Sequence, residues 1–469
     1  MRMPRLFLIL AGLLACACGR SAATHPAPEP GITLAIVGVN VVPMIRDTVW
    51  RGQTVLIGGG RIARIGPAGA IAVPAGVRTI DAGGGYLVPG LWDMHVHTLS
   101  QSDAFLPLFI AHGVTGVRDM GGYLDSLRVV RARLAQGLTP APRLFAPGPL
   151  LDGPRQRWSH AIAWHLETPE QARAAVDSLA RAGVDFVKVY ASLSPTVYEA
   201  VAEAARVQRL PFAGHVPLSV SAAAASDAGQ ATLEHGGLDI TVGDCAADAR
   251  TRSMGLLGVW GRDGYGPYLQ GKLALLADRD PACAADLYAR YRRNGTHVVP
   301  TMVNELKDSA TVDWPALQYA DSASQAACRG TVETFHQADA HTRRDYYAVF
   351  VQDVGALHRA GVPLLAGTDV PNPCVVAGAS LHGELERLVQ AGLTPYQALR
   401  AATADAARFL GVGDSLGIVA EGAAADLVLL DANPLADIRN TRRIRLVMRG
   451  GTVYDRATLD SLLSRAHAR

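Results

Sequence analysis

The sequence has almost no net charge, because 44 Lys and Arg residues are balanced by 42 Asp and Glu residues, for a formal charge of +2. If Arg2 and Arg5 are removed with an N-terminal leader, the two signs become equal. A neutral chain offers no extended basic surface that would attract nucleic acid or anionic lipid. We therefore expect the partner to be a small molecule.

Repeats and cysteine-based metal motifs are also absent. No unit of about 20–50 residues recurs, which excludes a solenoid. No Cys-x-x-Cys pair occurs and no cysteine lies at zinc-finger spacing from a histidine, so the cysteines are not expected to bind metal. The even set that lies beyond residue 18 predicts two disulfides, in any of three pairings, and an oxidising compartment. These cysteines are Cys245, Cys283, Cys328 and Cys374.

The N-terminus has the pattern of an export signal. Two arginines precede an apolar run over residues 6–15, which is too short to cross a bilayer but suits a signal peptide. The run ends at Cys16 in a sequence that resembles a bacterial lipobox, and ordinary cleavage near Ala23 is the alternative. We predict a signal peptide over residues 1–15 and a flexible tether over residues 16–31. The protein would then be periplasmic or lipid-anchored to the bacterial envelope, with no other membrane contact.

The rest of the chain divides into β-rich ends and an alternating middle. Short strand-like segments separated by glycine turns predict one small β-sandwich domain built from residues 32–87 and 416–456. Over residues 88–415, eight apolar strand-like runs alternate with helical stretches rich in Ala, Arg and Leu. This alternation predicts an α/β fold of the TIM (β/α)8 barrel type. The eight runs cover 86–97, 113–119, 143–147, 184–190, 211–216, 231–235, 297–303 and 362–369.

Side chains that can bind a metal or accept a proton end five of these runs. Because side chains alternate along a strand, His95 and His97 face the same side of the first strand. Charged groups that face a barrel core are costly unless they are paired or metal-bound, so their recurrence favours a metal site over chance. The candidate ligands in chain order are His95, His97, Lys188, His215, His235 and Asp369.

This order of ligands resembles the amidohydrolase superfamily, and most of all its imidazolonepropionase-like branch, which includes Xaa-Pro dipeptidases. Residues 81–93 and 422–428 resemble the same family. The resemblance implies that a carboxylated Lys188 bridges two divalent metals, usually zinc. It also implies one metal site completed by His95, His97 and Asp369 and a second completed by His215 and His235.

The chemistry of the ligands agrees with that implication. Burial disfavours the charge of Lys188, and its neutral amine can add carbon dioxide to give an anionic carbamate. A carbamate has two oxygens and can hold two ions about 3.5–4 Å apart. The bridging water, as hydroxide, would attack a substrate carbonyl, and Asp369 would pass the proton to the leaving amine. We therefore predict a secreted amidohydrolase for a dipeptide, an N-acyl amino acid or a cyclic amide.

Three further residues are predicted as tentative substrate contacts: Tyr190, Arg118 and His160. Tyr190 and Arg118 could stabilise the charge of the tetrahedral intermediate, although Tyr190 could equally pack inside the barrel. His160 lies in the loop after the third strand, where a substrate contact is plausible. His382 lies about a dozen residues beyond the eighth strand, and a structural or supporting role is expected for it.

Other functions stay open at this point. The same centre would serve an esterase, a lactonase or a phosphotriesterase, because the attacking hydroxide is common to all of them. Deamination fits less well, since mononuclear deaminases of this superfamily do not need Lys188. A non-catalytic binding barrel is a further alternative, and such barrels usually lack metal ligands. Barrels of this kind often pair, so a homo-oligomer is also open.

Overall fold

The structure is a computed structural model that describes residues 31–99, 105–137, 140–154, 161–235, 243–246 and 263–467. The predicted signal peptide, the tether up to residue 30 and the candidate residue His160 lie outside the described residues. Across the described ranges, the helices are all too short or too polar to cross a membrane.

Strands from both ends of the chain pair in one mixed eight-stranded sheet. Its order is β17-β16-β15-β5-β1-β2-β3, with β4 paired parallel to β1. The two ends meet where β5 runs antiparallel to β15, with Val88 opposite Val428. The two end segments that were predicted to form a β-sandwich therefore contribute strands to one hydrogen-bonded sheet. Its strands are β1 Ile32–Val41, β2 Trp50–Gly58, β3 Arg61–Pro67, β4 Arg78–Asp81, β5 Tyr86–Pro89, β15 Leu427–Leu430, β16 Ile444–Arg449 and β17 Thr452–Asp455.

The strand β15 attaches this sheet to the rest of the molecule because both of its faces are apolar. Leu427 and Leu429 belong to the small core of the sheet. Val428 and Leu430 alternate with them and belong to the main core. One strand thus contributes to two cores.

The middle of the chain contains two parallel sheets. The first pairs β6 Leu91–Val96, β7 Val114–Asp119 and β8 Arg143–Phe145. The second has the order β10-β9-β11-β12-β13-β14. Its strands are β9 Leu150–Asp152, β10 Ala163–His165, β11 Val187–Val189, β12 Phe212–Gly214, β13 Thr232–Glu234 and β14 His297–Val299.

The predicted eighth strand forms only single-residue bridges in the structure. Leu364 bridges Val298 of β14, and Val370 bridges Val96 of β6, both in the parallel sense. The segment thus contacts an outer strand of each parallel sheet. Pro363 has no N–H to donate to a ladder, and Asp369 has a positive φ of 63°, so a regular strand is interrupted at both ends.

Helices connect most of the parallel strands. Those at Pro169–Arg181 and Pro195–Gln208 begin with proline in the first turn, after the N-cap residues Thr168 and Ser194. The other described helices are Leu106–Ala111, Leu124–Ala135, Ala222–Asp227, Gly243–Cys245, Tyr265–Ala277, Pro281–Asn294, Met302–Glu305, Trp314–Leu317, Ser322–Phe335, Ala340–Arg359, Ala379–Gln390, Pro395–Ala401, Ala404–Phe409 and Arg456–His467, with a 3-10 helix at Ile438–Arg442.

The four cysteines beyond residue 18 form two disulfides, Cys245–Cys283 and Cys328–Cys374. The structure thus selects one of the three pairings that the sequence left open. The second disulfide joins the helix Ser322–Phe335 to the segment just after Asp369.

Replacing Cys328 and Cys374 together by Ala should lower the free energy of unfolding by about 3–4 kcal/mol. The cross-link spans 46 residues, and its loss returns chain entropy to the unfolded state. Urea unfolding under non-reducing conditions measures the change. The matched variant without Cys245 and Cys283, which are 38 residues apart, should lose a similar amount. An unchanged unfolding midpoint in the first variant would contradict the prediction.

Candidate metal centre

The candidate ligands lie at or beyond the carboxyl ends of parallel strands. Because these strands run in the same direction, their carboxyl ends lie on one side of the fold. His95 and His97 come from the end of β6, Lys188 from β11, His215 and His235 from the residues just after β12 and β13, and Asp369 from the segment that bridges β14 and β6.

Asp369 is the common neighbour of three imidazoles. Its Oδ1 lies 3.4 Å from His95 Nε2 and 3.5 Å from His97 Nε2. Its Oδ2 lies 3.7 Å from His235 Nδ1. His215 reaches the group through His235, with 3.1 Å between the two Nε2 atoms. Ligand atoms of His95, His235 and Asp369 all lie within 4.8 Å of one another, which is a suitable spacing for a metal ion.

Lys188 is fully buried, and the backbone beside it leaves room for its side chain. A Cβ at Gly214 would lie 2.2 Å from the backbone oxygen of Val189 and 2.9 Å from Lys188 Cδ, so glycine is required at that position. Within the described part of the chain, Lys188 Nζ and His95 Nε2 are both buried without a hydrogen-bond partner. Such atoms are costly in an apolar interior. A cation at His95 would give Nε2 a bond to the metal. A carboxyl group on Lys188 would convert the unpaired amine into an anion that can bind the cation, so the residues fit a metal.

Burial sets the protonation states of the centre. It lowers the pKa of Lys188 below that of a free lysine, which raises the fraction of the neutral amine. It also lowers the pKa of His97 to about 4 and of His235 to about 3, and the nearby Lys188 charge adds to both shifts. Neutral imidazole is the form that binds metals. Burial raises the pKa of Asp369, and the charge of Lys188 opposes that rise.

Hydrogen bonds at Nδ1 orient three of the imidazoles. Partners of this kind orient ligating histidines and decide which ring nitrogen carries the proton. None of these partners was predicted from the sequence, although a glutamate inside an apolar strand was a signal for one of them. The pairs are His95 with Glu234 Oε2 at 2.8 Å, His97 with Gly121 O at 3.2 Å, and His235 with Thr301 Oγ1 at 2.9 Å.

Two further unpredicted residues position Asp369. Asn304 donates from Nδ2 to Asp369 Oδ2 at 2.8 Å. Asp93 accepts hydrogen bonds from the backbone N–H groups of His95, at 3.2 Å, and Thr368, at 3.0 Å. The carboxylate of Asp93 therefore holds the end of β6 and the residue before Asp369 together.

The backbone is strained at three of the residues around the centre. His235, Thr301 and Asp369 have φ values of 60°, 46° and 63°, in the left-handed region that non-glycine residues rarely adopt. Each such residue costs on the order of 1–3 kcal/mol and persists only when its surroundings hold it. Three such residues around one cluster indicate that these backbone conformations direct the side chains toward the cluster at a cost to local stability.

The tentative substrate contacts have different positions. Tyr190 is largely buried, and its ring centroid lies 4.3 Å from that of His215, so it packs against a candidate ligand. Arg118 is 1% exposed, and its guanidinium hydrogen-bonds Met94 O and Glu234. Arg118 therefore lies on the Glu234 side of the cluster, and its contact with a substrate stays a prediction.

His382 has a structural position. Its Nδ1 lies 2.9 Å from Thr441 Oγ1 and its Nε2 lies 3.1 Å from His112 O, and the side chain is buried. These contacts connect the helix Ala379–Gln390 with Thr441 and His112.

Replacing His382 by Leu should lower the free energy of unfolding by about 1–3 kcal/mol, because two buried hydrogen bonds are lost and His112 O loses a partner. The metal content and kcat of the folded variant should stay unchanged. Urea unfolding and elemental analysis measure the two effects. A loss of bound metal at full folding would instead place His382 in the functional centre.

Comparisons with known proteins agree on one family. The sequence profile described as the amidohydrolase family matches residues 86–454. Adenine deaminase 2 of Bradyrhizobium sp. (strain ORS 278) is 33% identical over 104 residues, which are 20% of this chain and only 17% of that protein.

Solved structures extend the likeness to nearly the whole chain. A candidate prolidase from Bifidobacterium longum has a TM-score of 0.66 and 25% identity, and the match covers 92% of this chain and 98% of that one. A Xaa-Pro dipeptidase with bound methionine has a TM-score of 0.64 and 20% identity, over 90% of this chain and 99% of that one. The fold is therefore shared with these proteins over about nine-tenths of the chain.

Proposed function

The chain belongs to the amidohydrolase family, and we propose that it is a binuclear metal-dependent hydrolase that cleaves an amide bond in a dipeptide, an N-acyl amino acid or a cyclic amide. As a member of this family it is a hydrolase of carbon–nitrogen bonds. The observation that carries the finer proposal is a single cluster of four imidazoles and Asp369. Lys188 belongs to the same set of ligands, and its Nζ is buried without a hydrogen-bond partner among the described residues. The likeness to the candidate prolidase from Bifidobacterium longum supports the dipeptide as substrate class.

The proposal includes a closed scaffold. The two parallel sheets would be parts of one (β/α)8 barrel over residues 88–415. Residues 364–370 would join them, because this segment bridges β14 on one side and β6 on the other. Residues 32–87 and 416–456 would form the second domain. A closed barrel suits the function, since residues from distant parts of the chain then converge at one mouth.

Two divalent ions, in our proposal zinc, would be held by nitrogen and oxygen ligands that this metal prefers. The residues that would hold them are a carboxylated Lys188, His95, His97, His215, His235 and Asp369. When bound, the ions supply a hydroxide nucleophile near neutral pH and polarise the substrate carbonyl.

The residues of the chain do the remaining work. Asp369 accepts the proton of the nucleophile and delivers it to the leaving amine. Asn304 keeps the Asp369 carboxylate in place through Oδ2. The depressed pKa values keep His97 and His235 unprotonated and able to act as ligands at neutral pH.

The direct test combines metal titration with a substrate panel. Metal-free protein is loaded with zinc, and the metal content per chain and the hydrolysis of Xaa-Pro and other dipeptides, N-acyl amino acids and cyclic amides are measured. We expect about two ions per chain and metal-dependent release of an amino acid. An ester analogue of the best amide and adenine are run beside the panel. Turnover of the ester alone would favour an esterase, and turnover of adenine alone would favour a deaminase.

Export is proposed on separate grounds. The apolar run over residues 6–15 and Cys16 have the pattern of a lipoprotein signal. Two disulfides suit an oxidising compartment. Expression in a bacterial host should place the protein in the membrane fraction, and Cys16→Ser should release it from lipid labelling. Recovery of unprocessed protein from the cytoplasm would contradict export.

A further inference from the structure

A buried cation connects three strands just behind the metal centre. Arg118 lies on β7, and its Nε donates to the carbonyl of Met94 on β6 at 2.7 Å. Its two terminal nitrogens donate to residues of β13, Thr232 Oγ1 at 2.9 Å and Glu234 Oε1 at 2.9 Å. The guanidinium therefore contacts the residue next to His95 and, on another strand, the residue next to His235.

The surroundings of Arg118, as far as the described residues show, are otherwise largely apolar. Its side chain is 1% exposed and that of Glu234 is fully buried. The rings of Phe186 and Phe409 lie 5.7 Å and 5.4 Å from the guanidinium carbon. Removing both charges of such a pair from water is expensive, and an apolar pair of the same volume is often at least as stable. Stability alone is therefore a weak reason for an ion pair at this position.

Glu234 divides its two oxygens between Arg118 and His95. Oε1 accepts from Arg118 and from the hydroxyl of Thr232. Oε2 lies 2.8 Å from His95 Nδ1 and also accepts from Arg118, at 3.1 Å. An ionised carboxylate can only accept hydrogen bonds, so His95 must carry its proton on Nδ1. The lone pair of Nε2 then faces Asp369, which lies 3.4 Å away.

We propose that Arg118 is a positioning residue of the metal centre, which acts through Glu234 to set the tautomer and the direction of the His95 ring. The inference deepens the proposed function and rests on it. Among the described residues, Arg118 donates no hydrogen bond to a candidate ligand, and its hydrogen bonds toward the centre go to the carboxylate of Glu234 and the Met94 carbonyl.

The test is a double-mutant cycle of Arg118→Met and Glu234→Gln, read out as zinc affinity by competition with a chelator. Either change should weaken the tighter zinc site by roughly 10–100-fold, the usual effect of losing a group behind a ligand. Because both residues act along one path, the double variant should be little weaker than Glu234→Gln alone. Two effects that multiply in full would overturn the proposal.

A second measurement separates positioning from general loss of structure. In zinc-free protein labelled with 15N histidine, wild type should show His95 protonated at Nδ1. Glu234→Gln should show both tautomers, because an amide can donate as well as accept. A single unchanged tautomer in Glu234→Gln would overturn the assignment.

Two controls complete the experiment. Arg279→Met breaks another ion pair, with the buried Asp353, and should reduce stability without changing zinc affinity. If Arg118→Met does not fold, Arg118→Lys keeps the charge but loses the forked geometry, and it should weaken zinc binding to a smaller extent. Wild-type zinc affinity in Arg118→Lys would count against the proposal. A wild-type protein that binds no zinc would instead refute the proposed function.

Discussion

Replacing Lys188 by Ala should remove the bridging ligand and with it the metal pair. The zinc content should fall below one ion per chain, and kcat/KM on the best amide should fall by on the order of a thousandfold or more, the scale of losing a main catalytic group. The reason is that His95, His97, His215 and His235 supply only neutral nitrogens, so Asp369 would be the sole anion for two divalent cations. Elemental analysis and steady-state kinetics measure the two effects.

The space left by Lys188→Ala allows a sharper test. A short carboxylic acid such as propionate could enter it and supply two oxygens, so added propionate should restore part of the zinc content and activity. Lys188→Arg should show the same loss as Lys188→Ala, because a guanidinium stays charged and adds no carbon dioxide. Lys272→Ala, in the helix Tyr265–Ala277, is the matched control and should keep both ions. Two tightly held ions in Lys188→Ala would rule out the bridging role.

Replacing Asp369 by Asn should lower kcat by roughly 10²–10⁴-fold, the range expected for loss of a general base. The amide has nearly the same size as the carboxylate but accepts no proton near neutral pH. KM should change much less, since substrate binding is assigned to other groups. Rapid-mixing kinetics on fully zinc-loaded protein measure kcat apart from metal loss.

The exposed Asp414 gives the control for Asp369→Asn. Asp414→Asn removes the same charge at the surface and should leave kcat unchanged. If Asp369→Asn kept more than a tenth of wild-type kcat with its metals in place, proton transfer would have to be assigned to another residue.

Local sequence patterns were sufficient to find the candidate ligands. Alternation along an apolar strand placed His95 and His97 on one face, and the structure brings both Nε2 atoms to within 3.5 Å of Asp369 Oδ1. Lys188 was conspicuous because a cation within an apolar strand must be paired or uncharged. Such signals are readable because they depend only on the chain within a few residues of each side chain.

The partners of these ligands could not be read in this way. Glu234 and His95 are 139 residues apart, and Arg118 and Glu234 are 116 apart. Each is an ordinary charged residue until the strands are placed side by side. From the sequence alone, Arg118 was therefore predicted to contact the substrate. In the structure its side chain donates a hydrogen bond to Glu234.

The sequence by itself predicted the alternation of strands and helices and the types of ligand available, because these follow from composition and short-range periodicity, and the order of those ligands resembled one family. Tertiary structure alone decided which cysteines pair, which group holds each imidazole and where the guanidinium of Arg118 lies. Those choices depend on the distance between residues far apart in the chain, and the packing of the strands sets that distance.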